Sequence, residues 1–263
     1  MRTTLRVGVV SAIVALFVSG TAISAQADVT SDAVNYVALG DSYSSGTGTA
    51  EYTDTDCLLS NHSYPQQLAS QLGLTLTFDA CSGAVIDDVR NSQMANLNAD
   101  TDLVTMSIGG NDTGWSDVVV SCARPWPWTC WGDIDNAEAY VTNTLPGRLD
   151  SLYSEIRAAA PNAQVVIVGY PRLFNGESCN VITRISGEEQ ARLNEAADLL
   201  GDTIGSVASA HGFDYVDPRG AFDGHAVCDD EEWLNGLSWP IVESFHPNRS
   251  GHDAYTDLIA PLV

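Results

Sequence analysis

The stretch Tyr36-Val37-Ala38-Leu39-Gly40-Asp41-Ser42-Tyr43-Ser44-Ser45-Gly46 reads as a buried strand running into a tight turn. Its apolar run stops at Gly40, a serine follows two residues later, and a small loop closes on Gly46. Open α/β folds gather their chemistry at the carboxyl ends of parallel strands. Ser42 is therefore the first candidate nucleophile. Gly-Asp-Ser also makes ordinary turns, so the assignment depends on what the rest of the chain sets beside it.

Moving outward, strand-like runs recur at Leu74–Phe78, Asp102–Ile108, Gln164–Gly169 and Phe213–Val216. The clearest is Gln164–Gly169, a continuous Val/Ile run between turn residues. Helical periodicity fills the gaps at Tyr64–Leu72, Ala137–Ala160, Ser186–His211 and His252–Leu262. The second of these is interrupted at Pro146 and stopped by Pro161-Asn162. Ser186 with Glu189 three residues on forms a capping box, and Leu193, Ala196, Ala197 and Leu200 share one face behind it. Continuous apolar strands that alternate with helices call for a sheet covered on both faces. The expected architecture is α/β, a three-layer α/β/α sandwich with a five-stranded parallel sheet. No internal repeat or linker divides it.

Residues 1–27 have the make-up of a secretory signal peptide. Arg2 and Arg6 give a positive start, Val7 to Val18 is almost wholly apolar, and Ala25-Gln26-Ala27 offers a small-x-small cleavage site. The apolar run is too short to span a bilayer, which argues against a stable membrane anchor. A single domain over 28–263 would remain, long enough for a sizeable core. The formal net charge is −23 and lysine is absent. Phosphate backbones would be repelled by such a surface, which argues against nucleic acid, and no polybasic patch offers itself to anionic membranes. The acidic surface suits a secreted, extracellular monomer.

Six cysteines follow the leader: Cys57, Cys81, Cys122, Cys130, Cys179 and Cys228. An even count in an exported chain points to three disulfides. Sequential pairing, Cys57–Cys81, Cys122–Cys130 and Cys179–Cys228, closes three local loops. Zinc is the competing use, but no C-x-x-C or H-x-x-x-H spacing is present. No metal or cofactor is expected.

Three further stretches fall where the expected sheet has its catalytic edge. They are Cys81-Ser82-Gly83-Ala84, Ile108-Gly109-Gly110-Asn111-Asp112 and Ser244-Phe245-His246-Pro247-Asn248. With Ser42 they supply a hydroxyl, a backbone N–H at a glycine, a side-chain amide and an imidazole. Acyl transfer needs these parts: a nucleophile, a base to activate a poorly nucleophilic hydroxyl, and preorganised donors for the oxyanion. The four blocks, in this order, resemble those of the SGNH hydrolases, also called GDSL lipases and esterases. The chain is most similar to the secreted actinobacterial lipases, esterases and phospholipases of that group. The resemblance spans nearly all of 28–263 and implies a flavodoxin-like SGNH hydrolase fold. It also implies roles: Ser42 as nucleophile, His246 as base, and an oxyanion hole of the Ser42 N–H, the Gly83 N–H and the Asn111 side chain.

One departure stands out. Many relatives carry an aspartate three residues before the histidine, and here that place holds Glu243. Either the Glu243 carboxylate or the Ser244 backbone carbonyl would orient His246, and the carbonyl is favoured because glutamate is one methylene longer. A second feature is the crowd of tryptophans: Trp115, Trp126, Trp128 and Trp131 after Asn111, and Trp233 and Trp239 ahead of His246. They fit an apolar acyl or aromatic group of the substrate, or a satellite core under a long loop. The expected function is a secreted carboxylic ester hydrolase, a lipase or esterase acting on a small-molecule or lipid ester. A phospholipase A-type enzyme and a carbohydrate deacetylase are the alternatives. A catalytically silent lipid- or glycan-binding protein on the same fold is a different class, and the intact set of four blocks argues against it.

Overall fold

Strand β1 (Asn35–Gly40) is buried from Tyr36 to Gly40 and runs inside the sheet, with a strand on either side. A single helical turn, α1 (Ser42–Ser45), follows at once. The computed structural model describes residues 33–124, 127–179 and 185–263, with Gly8 alone ahead of them. The leader expected over 1–27, save Gly8, and the aromatic Trp126 lie outside the described residues. Helix α2 (Tyr64–Leu72) leads to β2 (Thr75–Phe78). A short helix α3 (Ile86–Asp88) then runs into a π turn over Val89–Gln93. Next come β3 (Leu103–Ser107), α4 (Trp115–Cys122), α5 (Trp131–Asn143), α6 (Leu145–Ala159) and β4 (Gln164–Val168). Helix α7 (Gly187–Ala210), β5 (Asp214–Val216) and α8 (Arg249–Ile259) complete the chain.

The five strands are parallel, in the order β2-β1-β3-β4-β5. Such strands need crossover connections, which put helices on the sheet faces. Helices α2 and α8 pack on each other, while α3, α5, α6 and α7 pack among themselves. The chain leaves β1 toward β2, then returns past it to β3. The strand order therefore reverses between β1 and β3, and a crevice opens there beyond the strand ends. The fold is the α/β sandwich that the strand pattern implies.

Strand ends shift by a residue, and the larger differences from the sequence expectation fall among the helices. The stretch Ala137–Ala160, read as helical with an interruption at Pro146, is two helices, α5 and α6, that meet at Thr144, and α5 begins at Trp131. Pro146 lies just past that break, in the first turn of α6, a place where its missing N–H costs nothing. Helix α8 starts at Arg249 instead of His252, because the Asn248 side chain caps it by accepting the Gly251 N–H at 3.1 Å. Helix α4 occupies sequence read only as an aromatic loop. At α7 the capping box of Ser186 and Glu189 is formed as expected.

All three sequential disulfides are present, and no described cysteine is free. Cys57–Cys81 fastens the loop before α2 to the turn after β2. Cys122–Cys130 joins the end of α4 to the start of α5. Cys179–Cys228 ties the segment ahead of α7 to the one after β5.

Candidate active site

Ser42 occupies the first helical position of α1, where Asp41 acts as the N-cap and accepts the Tyr43 N–H at 3.0 Å. The Asp41 carboxylate also accepts from the Ser107 hydroxyl at 2.7 Å and from the Tyr170 hydroxyl. Burial pushes its pKa up to about 6 against these donors. Burial also raises the Tyr43 and Tyr170 phenols, so both stay neutral hydrogen-bonding groups. Behind the serine, the Gln93 amide grips Gly40 twice: it accepts the Gly40 N–H at 2.7 Å and donates to the Gly40 carbonyl at 2.9 Å. The end of β1 is thereby fixed by contacts that reach across the fold.

His246 faces Ser42 from the segment ahead of α8. Its Nε2 lies 2.8 Å from the Ser42 Oγ, and its Nδ1 lies 2.9 Å from the Ser244 carbonyl oxygen. A carbonyl only accepts, so Nδ1 carries the proton and Nε2 presents its lone pair to the serine hydroxyl. Burial lowers the imidazole pKa to about 4, so the ring is neutral near pH 7. The ring reaches back to Ser244 because Phe245 adopts a left-handed backbone with φ 61°. Gly48 leaves room for this segment. A Cβ there would fall 2.3 Å from the Pro247 carbonyl oxygen and 2.9 Å from the His246 Cβ, and its φ of +105° suits glycine alone.

Glu243 lies elsewhere. Its buried carboxylate accepts from the Tyr52 hydroxyl and from the Ala50 N–H at 3.3 Å. Asn235 binds the same neighbourhood, donating to the Gly48 carbonyl at 2.8 Å and to the Glu243 carbonyl at 3.2 Å. The glutamate thus fastens the turn Ile241–Glu243 to the loop after α1.

Asn111 and Ser42 line one cleft. The Asn111 amide donates to the Ala84 carbonyl at 3.0 Å, and its nitrogen keeps a second N–H for a ligand. Gly83 is not among the residues lining the cleft. It is exposed on the next turn, with φ +82°. Its neighbours are tied to both sides of the site: Ser82 accepts from the Thr47 hydroxyl at 2.9 Å, and Ala84 holds Asn111. The Ser42 and Gly83 N–H groups donate to nothing among the described residues. Asp112, next to Asn111, accepts the Ile86 N–H at 3.0 Å and pairs with Arg148 at 2.9 Å.

The cleft holds about 540 Å³, and its wall is mostly apolar, with Trp115, Val119, Leu173, Leu200, Leu237 and Ile241 among its residues. Trp115 joins the cleft, Trp131 packs at the core margin, and Trp233 stacks on His225 at 3.6 Å. Trp128 and Trp239 are exposed. Of the five described tryptophans, one lines the cleft, two pack within the protein and two face outward. Sequence reading missed Gln93, Ser107, Tyr170, Asn235 and Tyr52. Each acts through long-range contacts and carries no local motif.

A profile of the GDSL-like lipase/acylhydrolase family matches residues 38–254. The chain belongs to that family. This lipase/acylhydrolase is 42% identical to Lipase 1 of Streptomyces coelicolor over 235 residues, covering 88% of this chain and 87% of that protein. The crystal structure of phospholipase A1 from Streptomyces albidoflavus NA297 superposes with a TM-score of 0.83 at 42% identity, covering 88% of this chain and all of that one. The extracellular lipase from Streptomyces rimosus superposes equally well at 40% identity, with the same coverage. The acylhydrolase is thus a lipase/esterase-type carboxylic ester hydrolase.

Proposed function

We propose that the protein is a secreted serine hydrolase that cleaves carboxylic esters bearing an apolar acyl chain. The Ser42 Oγ attacks the ester carbonyl while His246 Nε2 takes its proton. The oxyanion that forms is held by the N–H groups of Ser42 and Gly83 and by the Asn111 amide. The intermediate collapses, the acyl–oxygen bond of the ester breaks, and His246 returns the proton to the leaving alcohol. Water then attacks the acyl-Ser42 with His246 again as base, releasing the acid and restoring the serine. The Ser244 carbonyl fixes the ring tautomer, and Glu243 stays with Tyr52.

The observation that carries this reading is the 2.8 Å contact between Ser42 and a neutral His246 at an apolar cleft. Secretion is supported by the leader-like sequence of 1–27 and by three disulfides. A phospholipase A-type activity is the second reading, supported by the likeness to the Streptomyces albidoflavus phospholipase A1. The apolar wall weighs against a carbohydrate deacetylase.

A fluorophosphonate ester should label Ser42, with the adduct found on its peptide by mass spectrometry. Ser42→Ala should lose hydrolysis across a p-nitrophenyl ester series, whose preferred chain length reports the acyl group. Labelling elsewhere, or full activity in Ser42→Ala, refutes the mechanism. Fatty acid released from phosphatidylcholine in preference to a triacylglycerol would favour the second reading.

A further inference from the structure

All six tryptophans of the chain lie within residues 115–131 or 233–239, the two segments that flank the cleft in sequence. Two of them face outward, Trp239 at 91% exposure and Trp128 at 61%. Val120 at 61%, Ile241 at 60% and Val242 are exposed as well, the last two directly after Trp239-Pro240 in the chain. Val120, Ile241 and Val242 also line the cleft, so the outward apolar surface continues its wall. The other exposed large apolar residues among those described are Val34, Leu72, Leu262 and Val263, each less exposed than Trp239, Trp128, Val120 or Ile241. Val34 directly precedes β1, and the Leu262 carbonyl accepts from Gln164 at the start of β4. They belong to the opposite end of the sheet.

We infer that the rim formed by Trp239, Ile241, Val242 and Val120 is a docking face for an uncharged or zwitterionic lipid surface, continuous with the cleft that receives the ester. The inference rests on the hydrolase reading for the use of that cleft, but not for the binding itself. Soluble proteins seldom leave contiguous large apolar side chains exposed without a partner. Tryptophan suits the zone between headgroups and acyl chains, where its ring is buried and its N–H stays wet.

Charge selects the kind of surface. The ten residues Trp233 to Val242 carry no charged side chain in a protein of net charge −23. The next residue, Glu243, is turned inward to Tyr52 and Ala50. No lysine is available to bind anionic headgroups, the usual source of electrostatic attraction for peripheral proteins. Insertion of the rim alone must hold the protein to the bilayer. A lipid drawn up from beneath it would enter the cleft at Val120 and Ile241 without crossing water.

Sedimentation of the protein as secreted, without residues 1–27, with vesicles of non-hydrolysable diether phosphatidylcholine tests this. The protein should bind, and Trp239→Ser should lower the partition coefficient about tenfold, the cost of one buried tryptophan's transfer. Turnover of water-soluble p-nitrophenyl acetate should be unchanged. Replacing half of the lipid with diether phosphatidylglycerol should weaken binding at low salt. If Trp239→Ser loses soluble-ester turnover, Trp239→Gln serves for the same comparison. Absent binding, tryptophan variants that bind like the unaltered protein, or tighter binding to anionic vesicles would overturn the proposal. So would a dimer in solution that Trp239→Ser dissolves, since the face would then belong to a second copy. A protein that binds vesicles but hydrolyses no ester overturns the hydrolase reading and leaves this one standing.

Discussion

Burial holds the His246 imidazole at a pKa of about 4, below its usual value near 6.5, and leaves it neutral across the range where an ester hydrolase works. In the proposed mechanism only the neutral ring accepts the Ser42 proton, so activity should be present above this pKa and lost as pH falls through it. The acid limb of kcat/KM, which reports the free enzyme, should lie below 6.5. A limb at or above 6.5 would show that burial does not govern the ring. In the proposed mechanism Asn111 acts later in the reaction, when charge has developed on the substrate oxygen. Asn111→Ala should lower kcat about 100-fold or more with little change in KM. A change confined to KM would make the amide a ground-state contact. Ser42, Asn111 and His246 were legible because their sequence blocks name them. Tyr170, Ser107 and Gln93 were not, since each joins the site from a distant part of the chain and a hydroxyl or amide in isolation announces nothing.

The turn Ile241–Glu243 supports the segment that supplies the Ser244 carbonyl, and Glu243 holds that turn to Tyr52 and Ala50. Its carboxylate is engaged away from the imidazole. Glu243→Gln should therefore cost less than about tenfold in kcat/KM, because the amide oxygen still accepts from Tyr52. A loss near the ~10⁴-fold seen when a triad aspartate becomes its amide would make Glu243 the acid. The length of glutamate favoured the carbonyl over the carboxylate, but the spacing of Glu243 and His246 did not decide between them. The difference lies in the left-handed backbone of Phe245, for which a bulky residue carries no advance signal. Helix starts were missed for a similar reason. Helix α4 begins after Gly114 with no side-chain cap, and α5 begins after Cys130 with none. The strands were read closely, since a buried parallel strand needs an uninterrupted apolar run.

The fold as a whole depends on buried groups that stay uncharged. His252 on α8 is fully buried; its Nδ1 faces the Tyr64 N–H at 3.4 Å, and its Nε2 has no partner among the described residues. Burial, reinforced by His246 and His62, pushes its pKa down to about 3. Unfolding restores a value near 6.5, so the unfolded chain takes up the proton first as pH falls. The contribution to stability is complete above pH 6.5 and is lost progressively toward pH 3, on the order of 2 kcal/mol by pH 5. Asp41 opposes this slope, since its pKa is raised to about 6, but it does so equally in a His252 variant. Thermal unfolding measured from pH 7 to pH 5 should show a smaller drop in Tm for His252→Asn than for the unaltered protein. Equal slopes would show that His252 is already protonated, or solvated, in the folded state.

The bridge Cys57–Cys81 ends two residues before Gly83, on the turn that presents one of the proposed oxyanion donors. The sheet needs no such bridge to form, because its core is apolar and continuous. The turn gains most from it, because its other ties are single contacts: the Cys81 N–H to the Gly40 carbonyl, the Ser82 N–H to the Cys57 carbonyl, the Ala84 N–H to the Cys81 carbonyl, and the Ser82–Thr47 and Ala84–Asn111 contacts. The redox state of the compartment in which the protein is produced therefore bears differently on its yield and its quality. Material made in a reducing cytosol would be soluble and pass a far-ultraviolet dichroism check while turning over slowly. Active-site titration, rather than a stained gel, is the measure by which preparations from different hosts should be compared.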